Sequence, residues 1–176
     1  RRLGIPREAV CIGSFQKDGR GWETGDEPKF IKAPDVFVEV VARLARIYPV
    51  HVLLTGPARG FVKNGLEKAG VPYTHHFVED FLDLPGYYHA LDLYLVSSRE
   101  EGGPKALTEG MATGVPVVST RVGMAPDVIE DGVNGLLADV DDVDGLVSAC
   151  ARLIEDENLR ESIVANGLEA VRAYDV

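Results

Sequence analysis

The sequence predicts an α/β fold in which a parallel sheet of about six strands is covered by helices on both faces. Short apolar segments of strand length alternate along the 176 residues with longer segments whose apolar residues recur at helical spacing. The strand-like segments are apolar at successive rather than alternate positions, which is typical of strands buried on both faces. Together these features indicate a doubly wound, Rossmann-like sheet, in which ligands bind at the carboxyl ends of the strands.

A long loop separates the first predicted strand from the first predicted helix. Residues 9–15 (AVCIGSF) are mostly apolar and run into glycine and serine, which predicts a buried strand. Residues 16–32 are rich in Gly, Asp, Lys and Pro without periodicity, and a loop of this length is typically functional or mobile. Over residues 34–48 the apolar positions recur at helical spacing and Asp35 occupies the first turn, which favours a helix.

The following elements are bounded by glycine and proline residues. Residues 50–55 (VHVLLT) predict a second strand that ends at Gly56 and Pro57. A helix over residues 61–69 is expected to end at Gly70, because glycine is the preferred residue just beyond a helix C terminus. The remaining predicted elements are an extended run at 71–78, a short helix at 83–90, strands at 91–96, 117–120 and 134–138, and helices at 106–113, 142–154 and 158–173.

Residues 97–105 form the most informative of the loops at the expected ligand edge of the sheet. They lead from an apolar strand into a helix, and the N–H groups at a helix N terminus carry about half a positive charge, which suits a phosphate group. Glu101 and Glu109 flank this loop, and because carboxylates repel phosphate we expect them to face hydroxyl groups. A sugar nucleotide carries both kinds of group. The other loops at this edge are residues 14–32, 56–60 and 120–126 and the turn after Val78.

The composition argues against several classes of partner. A net charge of −10 disfavours a nucleic-acid surface, which would need clustered Lys and Arg residues. Membrane association is not indicated, because no apolar run approaches the roughly 20 residues that span a bilayer. Cys11 and Cys150 lie in apolar segments and are expected to be buried, reduced thiols, which suits a cytoplasmic location.

No cofactor or metal ion is expected from the motifs. The three-glycine dinucleotide fingerprint, a Walker-type loop ending and a Cys/His cluster with metal-ligand spacing are all missing from the sequence. Lysines provide the alternative positive charge, since Lys17, Lys29, Lys32 and Lys105 lie in or beside the loops at the ligand edge. Lys17 and Lys32 are the favoured phosphate ligands, the alternative being ordinary solvated lysines. Trp22, in the long loop, is interpreted either as a stacking partner for a base or an acceptor, or as part of a lid.

A long run of residues resembles a known enzyme family. Residues 101–120 (EGGPKALTEGMATGVPVVST) contain two glutamates separated by seven residues, followed by a small-residue helix that ends in Gly-x-Pro-Val-Val. This arrangement resembles the signature of the group 1 (family 4) retaining glycosyltransferases, which have the GT-B fold. Residues 122–129 and 131–137 resemble that family's next loop and last strand. The resemblance implies that residues 1–176 form the C-terminal, donor-binding half of a GT-B fold, with the N-terminal acceptor domain absent from this chain.

The resemblance implies a role for each part of this loop. Glu101 would contact the hydroxyl groups of the donor sugar and help to place its anomeric carbon, which makes it the catalytic candidate. Glu109 would bind the ribose hydroxyl groups of the nucleotide. The backbone of five residues would hold the diphosphate: Gly103, Pro104, Lys105, Ala106 and Leu107.

The same resemblance implies two basic residues on the phosphates. Lys32 matches one of them, although Ala33 follows it where the family usually has glycine. Ser14 stands where the other basic residue, often an arginine, is commonly found. Lys17 is the nearest substitute for that arginine.

The implied reaction is transfer of a sugar from a UDP-, GDP- or ADP-linked donor to a glycan, lipid or small-molecule acceptor, with retention of configuration and without a metal ion. The acceptor would bind through the missing N-terminal domain, so the isolated chain is expected to be inactive. The loop after Val78 is expected to select the nucleotide base. Two alternatives stay open: a non-catalytic nucleotide-sugar or protein-binding module, and a sugar-nucleotide epimerase or phosphorylase of the same overall fold, although no lysine is singled out as a pyridoxal carrier.

Overall fold

The computed structural model describes residues 3–103 and 105–174, in which six parallel strands form one sheet with the spatial order β3-β2-β1-β4-β5-β6. The strands are β1 (Val10–Phe15), β2 (Val50–Thr55), β3 (Tyr73–His76), β4 (Leu93–Val96), β5 (Val117–Thr120) and β6 (Leu136–Ala138). The α-helices are α1 (Pro34–Leu44), α2 (Gly60–Ala69), α3 (Leu84–Tyr88), α4 (Lys105–Ala112), α5 (Ala125–Val128), α6 (Val143–Glu155) and α7 (Glu157–Ala170). None of the helices within the described residues combines the length and apolar composition needed to cross a bilayer. The predicted doubly wound, Rossmann-like sheet is confirmed.

Successive side chains along each strand point to opposite faces of the sheet, and each face is covered by its own helices. Along β4, Leu93 and Leu95 join the core cluster that contains residues of α1, α2 and α6. Tyr94 and Val96 join the other main cluster, which contains residues of α3, α4 and α5. Because both faces are buried, the central strands are largely apolar at successive positions, whereas the edge strand β3 is polar and half-buried.

The strand order reverses between β1 and β4, which are neighbours in the sheet. Ile12 pairs with Leu93 and Gly13 pairs with Tyr94, so the carboxyl ends of these two strands lie side by side. A Cβ atom at Gly13 would lie 2.3 Å from the Leu91 side chain, which would then have to move. The loops that follow β1 and β4 therefore meet where a doubly wound sheet binds its ligand.

Helix α1 is shorter than its apolar pattern predicts and ends at Leu44 rather than at residue 48. The chain continues in a tighter turn, in which Arg46 N–H donates to Arg43 O and Ile47 N–H donates to Leu44 O. Pro49 follows, and a proline disfavours the α conformation of the residue before it. A second difference is the one-turn helix α5, which begins inside the loop predicted after β5.

The long loop after β1 is held in place at several points. Its two arms pair through a bridge between Gly19 and Pro28. Its tip contacts the start of α2, where Gly60 N–H donates to Thr24 O over 2.7 Å. These contacts give the loop a defined conformation against the end of the sheet.

Both cysteines are buried, and they lie on opposite faces of the sheet. Cys11, in β1, belongs to a small cluster with Leu53 and Ala90. Cys150, in α6, belongs to the cluster against α1. Burial raises the pKa of the Cys150 thiol to about 12.

Candidate functional site

Glu101 follows β4, and its carboxylate meets Lys32, which lies just before α1. Lys32 Nζ donates to Glu101 Oε1 over 2.5 Å, and the Ser98 hydroxyl donates to the same oxygen over 2.9 Å. The side chains of Lys32 and Glu101 are 23% and 11% exposed, so a ligand can reach both. The structure thus brings together the two residues proposed from the sequence for phosphate and sugar.

The main chain around Lys32 is joined to the main chain after β4. Lys32 ends a 3-10 turn, and Ile31 O in that turn accepts a hydrogen bond from Arg99 N–H over 2.8 Å. Ala33 follows with φ 46°, in the left-handed region that favours glycine. Backbone geometry therefore accounts for the glycine expected at this position, and alanine adopts it with roughly 1–2 kcal/mol of strain.

Arg99 links this turn to α1 and to the segment after β6. Its guanidinium donates two hydrogen bonds to the Asp35 carboxylate, at 2.9 and 2.7 Å, and its Nε donates to Asp141 over 2.6 Å. The hydrogen bond from Arg99 lowers the pKa of Asp35, and the same bond raises the pKa of Arg99. Sequence reasoning missed Arg99, because its partners lie in distant segments and belong to no motif.

The loop after β5 packs on the backbone of Glu101. Gly123 has φ 50°, and a Cβ atom there would lie 2.3 Å from Glu101 O. Met124 N–H donates to Gly102 O over 3.3 Å. Glu101 is therefore supported from one side by the turn before α1 and from the other by this loop.

Helix α4 begins at Lys105, one residue before its predicted start, so its first-turn N–H groups follow directly on the loop after β4. Gly103 and Lys105 are exposed and Ala106 is half-buried. Leu107 is buried in the core, which leaves only its backbone for a ligand. Pro104, also proposed for the diphosphate, lies outside the described residues.

Glu109 lies about 6 Å along α4 from the start of the helix. Its carboxylate accepts a hydrogen bond from the Tyr88 hydroxyl over 2.9 Å. Burial is the main cause of a raised pKa for Tyr88, with Tyr94 and Glu109 adding to it, so this hydroxyl stays a neutral donor. Glu109 also lines a cavity of about 290 Å³ together with Phe81 and Leu84.

Lys17 lies in the long loop, and its ammonium rests on the ring of Trp22. Lys17 Nζ is 3.5 Å from the ring centroid, which is a cation–π contact. Desolvation and, second, the charge of Lys29 lower the pKa of Lys17. Lys17 and Trp22 line a cavity of about 370 Å³ that shares Phe81 and Leu84 with the cavity beside α4. The structure thus places Lys17 at this second cavity and not in the ion pair after β4.

Arg59, just before α2, is fully buried against the end of β1. Its guanidinium donates to Ser14 O over 2.7 Å, to Ser14 Oγ over 3.0 Å and to Thr55 O over 2.8 Å, and it forms a 3.0 Å ion pair with buried Asp18. Burial lowers the pKa of Arg59 and raises that of Asp18, while the attraction between the two charges opposes both shifts. A guanidinium therefore lies beside Ser14, where the resembled family commonly has an arginine. Sequence reasoning missed it, because Arg59 lies in a loop with glycine and proline (residues 56–60), where a charged side chain is normally solvated.

The arrangement at this edge of the sheet suits a ligand with both anionic and hydroxyl groups. Lys32 and the first turn of α4 offer positive charge and N–H donors to an anion. Glu101 and Glu109 offer carboxylate oxygens to hydroxyl groups. Within residues 3–103 and 105–174, no group of three or more His, Cys, Asp and Glu side chains is placed to hold a metal ion.

The strand order and the helices on both faces are those of a doubly wound domain, and the fold matches one half of solved GT-B structures. Sucrose-phosphate synthase from Thermosynechococcus elongatus superposes with a TM-score of 0.81 at 23% identity, over 98% of this chain and 43% of that chain. Anabaena HepE in complex with UDP and glucose gives a TM-score of 0.80 at 22% identity, over 96% of this chain and 45% of that chain. The C-terminal domain of the group 1 family protein LpcC from Francisella tularensis gives 0.74 at 25% identity, over 94% of this chain and 85% of that chain.

The chain belongs to the group 1 glycosyl transferases, because the sequence pattern of that family matches residues 25–156. The lipopolysaccharide core biosynthesis mannosyltransferase LpsB of Rhizobium meliloti is 35% identical over 147 residues, which is 78% of this chain and 42% of LpsB. A D-inositol 3-phosphate glycosyltransferase of Corynebacterium jeikeium is 30% identical over 172 residues, 91% of this chain and 39% of that protein. The family resemblance is confirmed, and the chain spans about two-fifths of the length of these curated relatives.

Proposed function

We propose that this chain is the donor-binding domain of a retaining glycosyltransferase, which transfers a sugar from a nucleotide-diphosphate sugar to an acceptor. The observation that carries the proposal is the contact between Lys32 and Glu101 beside the start of α4. A cation, a carboxylate and first-turn N–H groups there fit a ligand that joins a diphosphate to a sugar. Membership of the group 1 glycosyl transferases supports the same conclusion.

The diphosphate in this proposal lies against the first turn of α4 and against Lys32. Its arrival draws the Lys32 ammonium from Glu101 to a phosphate oxygen. Negative charge builds on the diphosphate as the bond to the sugar breaks, and the ammonium and the helix N–H groups stabilise that charge. These groups act without a metal ion.

Glu101 then accepts hydrogen bonds from the hydroxyl groups of the donor sugar and holds the anomeric carbon for attack. The bond from the anomeric carbon to the diphosphate breaks, and a bond to the acceptor oxygen forms on the same face of the sugar. The departing diphosphate takes the acceptor's hydroxyl proton. The site therefore does not need the two carboxylates that hydrolases use as acid and base or nucleophile.

Glu109 binds the ribose hydroxyl groups, with the Tyr88 hydroxyl fixing one of its oxygens. The base lies in the adjoining cavities, where the loop after β3 selects it. Structures of Anabaena HepE with UDP and glucose and with UDP-glucose support a donor of this kind.

A second, N-terminal domain is proposed to bind the acceptor, because a GT-B site lies in the cleft between two domains. The share of its relatives that this chain spans supports that division. We expect no sugar transfer by this chain alone. Appreciable turnover of a nucleotide sugar by the purified 176-residue chain would contradict the division.

Calorimetric titration of the chain with UDP, GDP and ADP tests the proposal. We expect binding of at least one nucleotide and about tenfold weaker binding in the Glu109→Gln variant, because a charged hydrogen bond to the ribose is lost. Glu161→Gln, an exposed change on α7, is the matched control. A folded chain that binds none of the three nucleotides would contradict the proposal.

A Glu101→Gln variant of the full-length protein distinguishes an enzyme from a non-catalytic binding module. Transfer should fall about hundredfold or more while the affinity for the nucleoside diphosphate stays close to that of the wild type. Unchanged transfer would remove Glu101 from the catalytic role.

A further inference from the structure

Trp22 is the single tryptophan of the sequence, and its side chain lies mostly in solvent. It is 80% exposed, although a tryptophan normally buries most of its large apolar surface. The Lys17 ammonium lies 3.5 Å from the centroid of the ring. A cation at the surface, rather than the hydrophobic core, therefore holds the indole.

The loop that carries Trp22 is anchored on both sides of the residue. Before it, Asp18 is held by the buried Arg59 at 3.0 Å. After it, Thr24 O accepts a hydrogen bond from Gly60 N–H over 2.7 Å. Both anchors lie within four residues of Trp22 and hold the main chain on either side of it against the start of α2.

The indole forms part of the wall of a cavity of about 370 Å³, within the roughly 300–1,000 Å³ range of small-molecule sites. Phe77 and Phe81, which follow β3, line the same cavity. These two side chains are 66% and 83% exposed. Three exposed aromatic side chains around one cavity are a surface that a flat, aromatic ligand would cover.

The cavity adjoins the one that contains Glu109, because Phe81 and Leu84 line both. Glu109 is the residue proposed to bind the ribose. The group attached to a ribose on the side away from the diphosphate is the nucleobase. Its planar faces are what aromatic side chains bind best, whichever base is present.

We propose that Trp22 is a further donor-binding residue, whose indole stacks on the nucleobase while Phe77 and Phe81 form the rest of the aromatic wall. This inference rests on the proposed function and extends the donor site to the long loop after β1. Lys17 leaves the indole when the base arrives and turns towards the diphosphate. One anchored loop thus supplies an aromatic contact for the base and a cation for the phosphates.

The test titrates UDP, GDP and ADP into the wild type and into the Trp22→Ala and Trp22→Phe variants, with pyrophosphate as a probe that lacks a base. The affinity for the tightest-binding nucleotide should fall about tenfold in Trp22→Ala and less in Trp22→Phe. Pyrophosphate affinity should not change. Nucleotide binding should also alter the fluorescence of wild-type Trp22. Ile47→Ala is the matched control, because Ile47 is another exposed apolar residue and does not line the cavity.

Circular dichroism establishes that each variant is folded before its affinity is compared. Wild-type nucleotide affinity in Trp22→Ala would overturn the inference and leave the proposed function intact. Equal losses for nucleotide and pyrophosphate would overturn it as well, because they would assign the effect to Lys17 rather than to stacking. A wild type that binds no nucleotide would overturn the inference and the proposed function together.

Discussion

Two cation–carboxylate pairs at the ligand edge of the sheet differ in their exposure to solvent and in the geometry of the cation. The side chains of Lys32 and Glu101 are 23% and 11% exposed, whereas those of Arg59 and Asp18 are 0% and 1% exposed. Lys32 offers a compact ammonium on a flexible stem, while Arg59 spreads a planar guanidinium over Asp18 and three further oxygens. A ligand can reach the pair of Lys32 and Glu101, so Lys32 can exchange its carboxylate partner for a group of the ligand. The sealed pair of Arg59 and Asp18 is suited to hold the main chain at the ends of β1 and β2.

The energetic consequences of breaking the two pairs should therefore differ. Loss of one partner from a sealed pair leaves the other charge buried without compensation. Loss of one partner from an accessible pair lets water replace it. The stability of the fold should depend on the sealed pair of Arg59 and Asp18. The affinity for the donor should depend on the accessible pair of Lys32 and Glu101.

The largest effect is expected from Arg59→Met, which leaves the Asp18 carboxylate buried beside an apolar side chain. The free energy of unfolding should fall by about 3–5 kcal/mol. Urea unfolding followed by circular dichroism measures it. The double variant Asp18→Leu with Arg59→Met removes both charges and should recover most of the loss. Equal urea midpoints for Arg59→Met and the wild type would show that the sealed pair does not hold the fold.

Lys32→Met is expected to have a smaller effect, and to change the affinity for the ligand more than the stability of the fold. The affinity for a nucleoside diphosphate should fall about 10- to 100-fold, because a charge-assisted contact to phosphate is lost. The free energy of unfolding should fall by less than in Arg59→Met, because the pair with Glu101 is partly buried rather than sealed and Ser98 still donates to the Glu101 carboxylate. Calorimetry and urea unfolding measure the two quantities. Lys68→Met, an exposed lysine at the end of α2, is the matched control and should change neither.

The smallest effect is expected at the pair of Arg99 and Asp35, which is more exposed than either pair above, at 26% and 37%. The pKa of Asp35 is lower in the folded chain than its ordinary value of 3.8. The pair therefore stabilises the fold above that ordinary value, and this contribution is lost as the pH falls through the lowered folded pKa. Asp35→Asn should lower the free energy of unfolding by up to about 1 kcal/mol at pH 7, since solvent screens the pair.

The pH dependence of the unfolding free energy checks this third prediction. Between about pH 5 and pH 2 the curve of Asp35→Asn should fall less steeply than that of the wild type, because the variant has no carboxylate to protonate at this position. Parallel curves would show that Asp35 gains nothing from Arg99 on folding.

The architecture was predictable from the sequence because its signals are local. Apolar runs such as residues 50–55 mark strands buried on both faces, and glycines such as Gly70 mark helix ends. The predicted end of α1 was wrong by four residues. The apolar spacing continues to Tyr48, whereas Pro49 disfavours the α conformation of the residue just before it. Pattern alone does not show which of two competing local rules prevails.

The candidate site was predictable in part. The loop after β4, with Glu101 and Glu109, follows from its place between a strand and a helix, and the fold brings the loop after β1 beside it. The burial of Arg59 was not predictable, because charged residues in loops are normally solvated and its partner Asp18 lies in a different loop. The resemblance assigned Lys17 to a phosphate, and that role stays a prediction.

The burial of Cys11 and Cys150 on opposite faces of the sheet makes the rate of thiol alkylation a measure of how the layer that covers each face opens. A cysteine reacts through its thiolate and only when a reagent can reach it, and the pKa of about 12 suppresses the thiolate of Cys150 further. Each thiol therefore becomes reactive only in molecules whose own layer has separated from the sheet. Comparing the two rates would show which layer of the domain separates first.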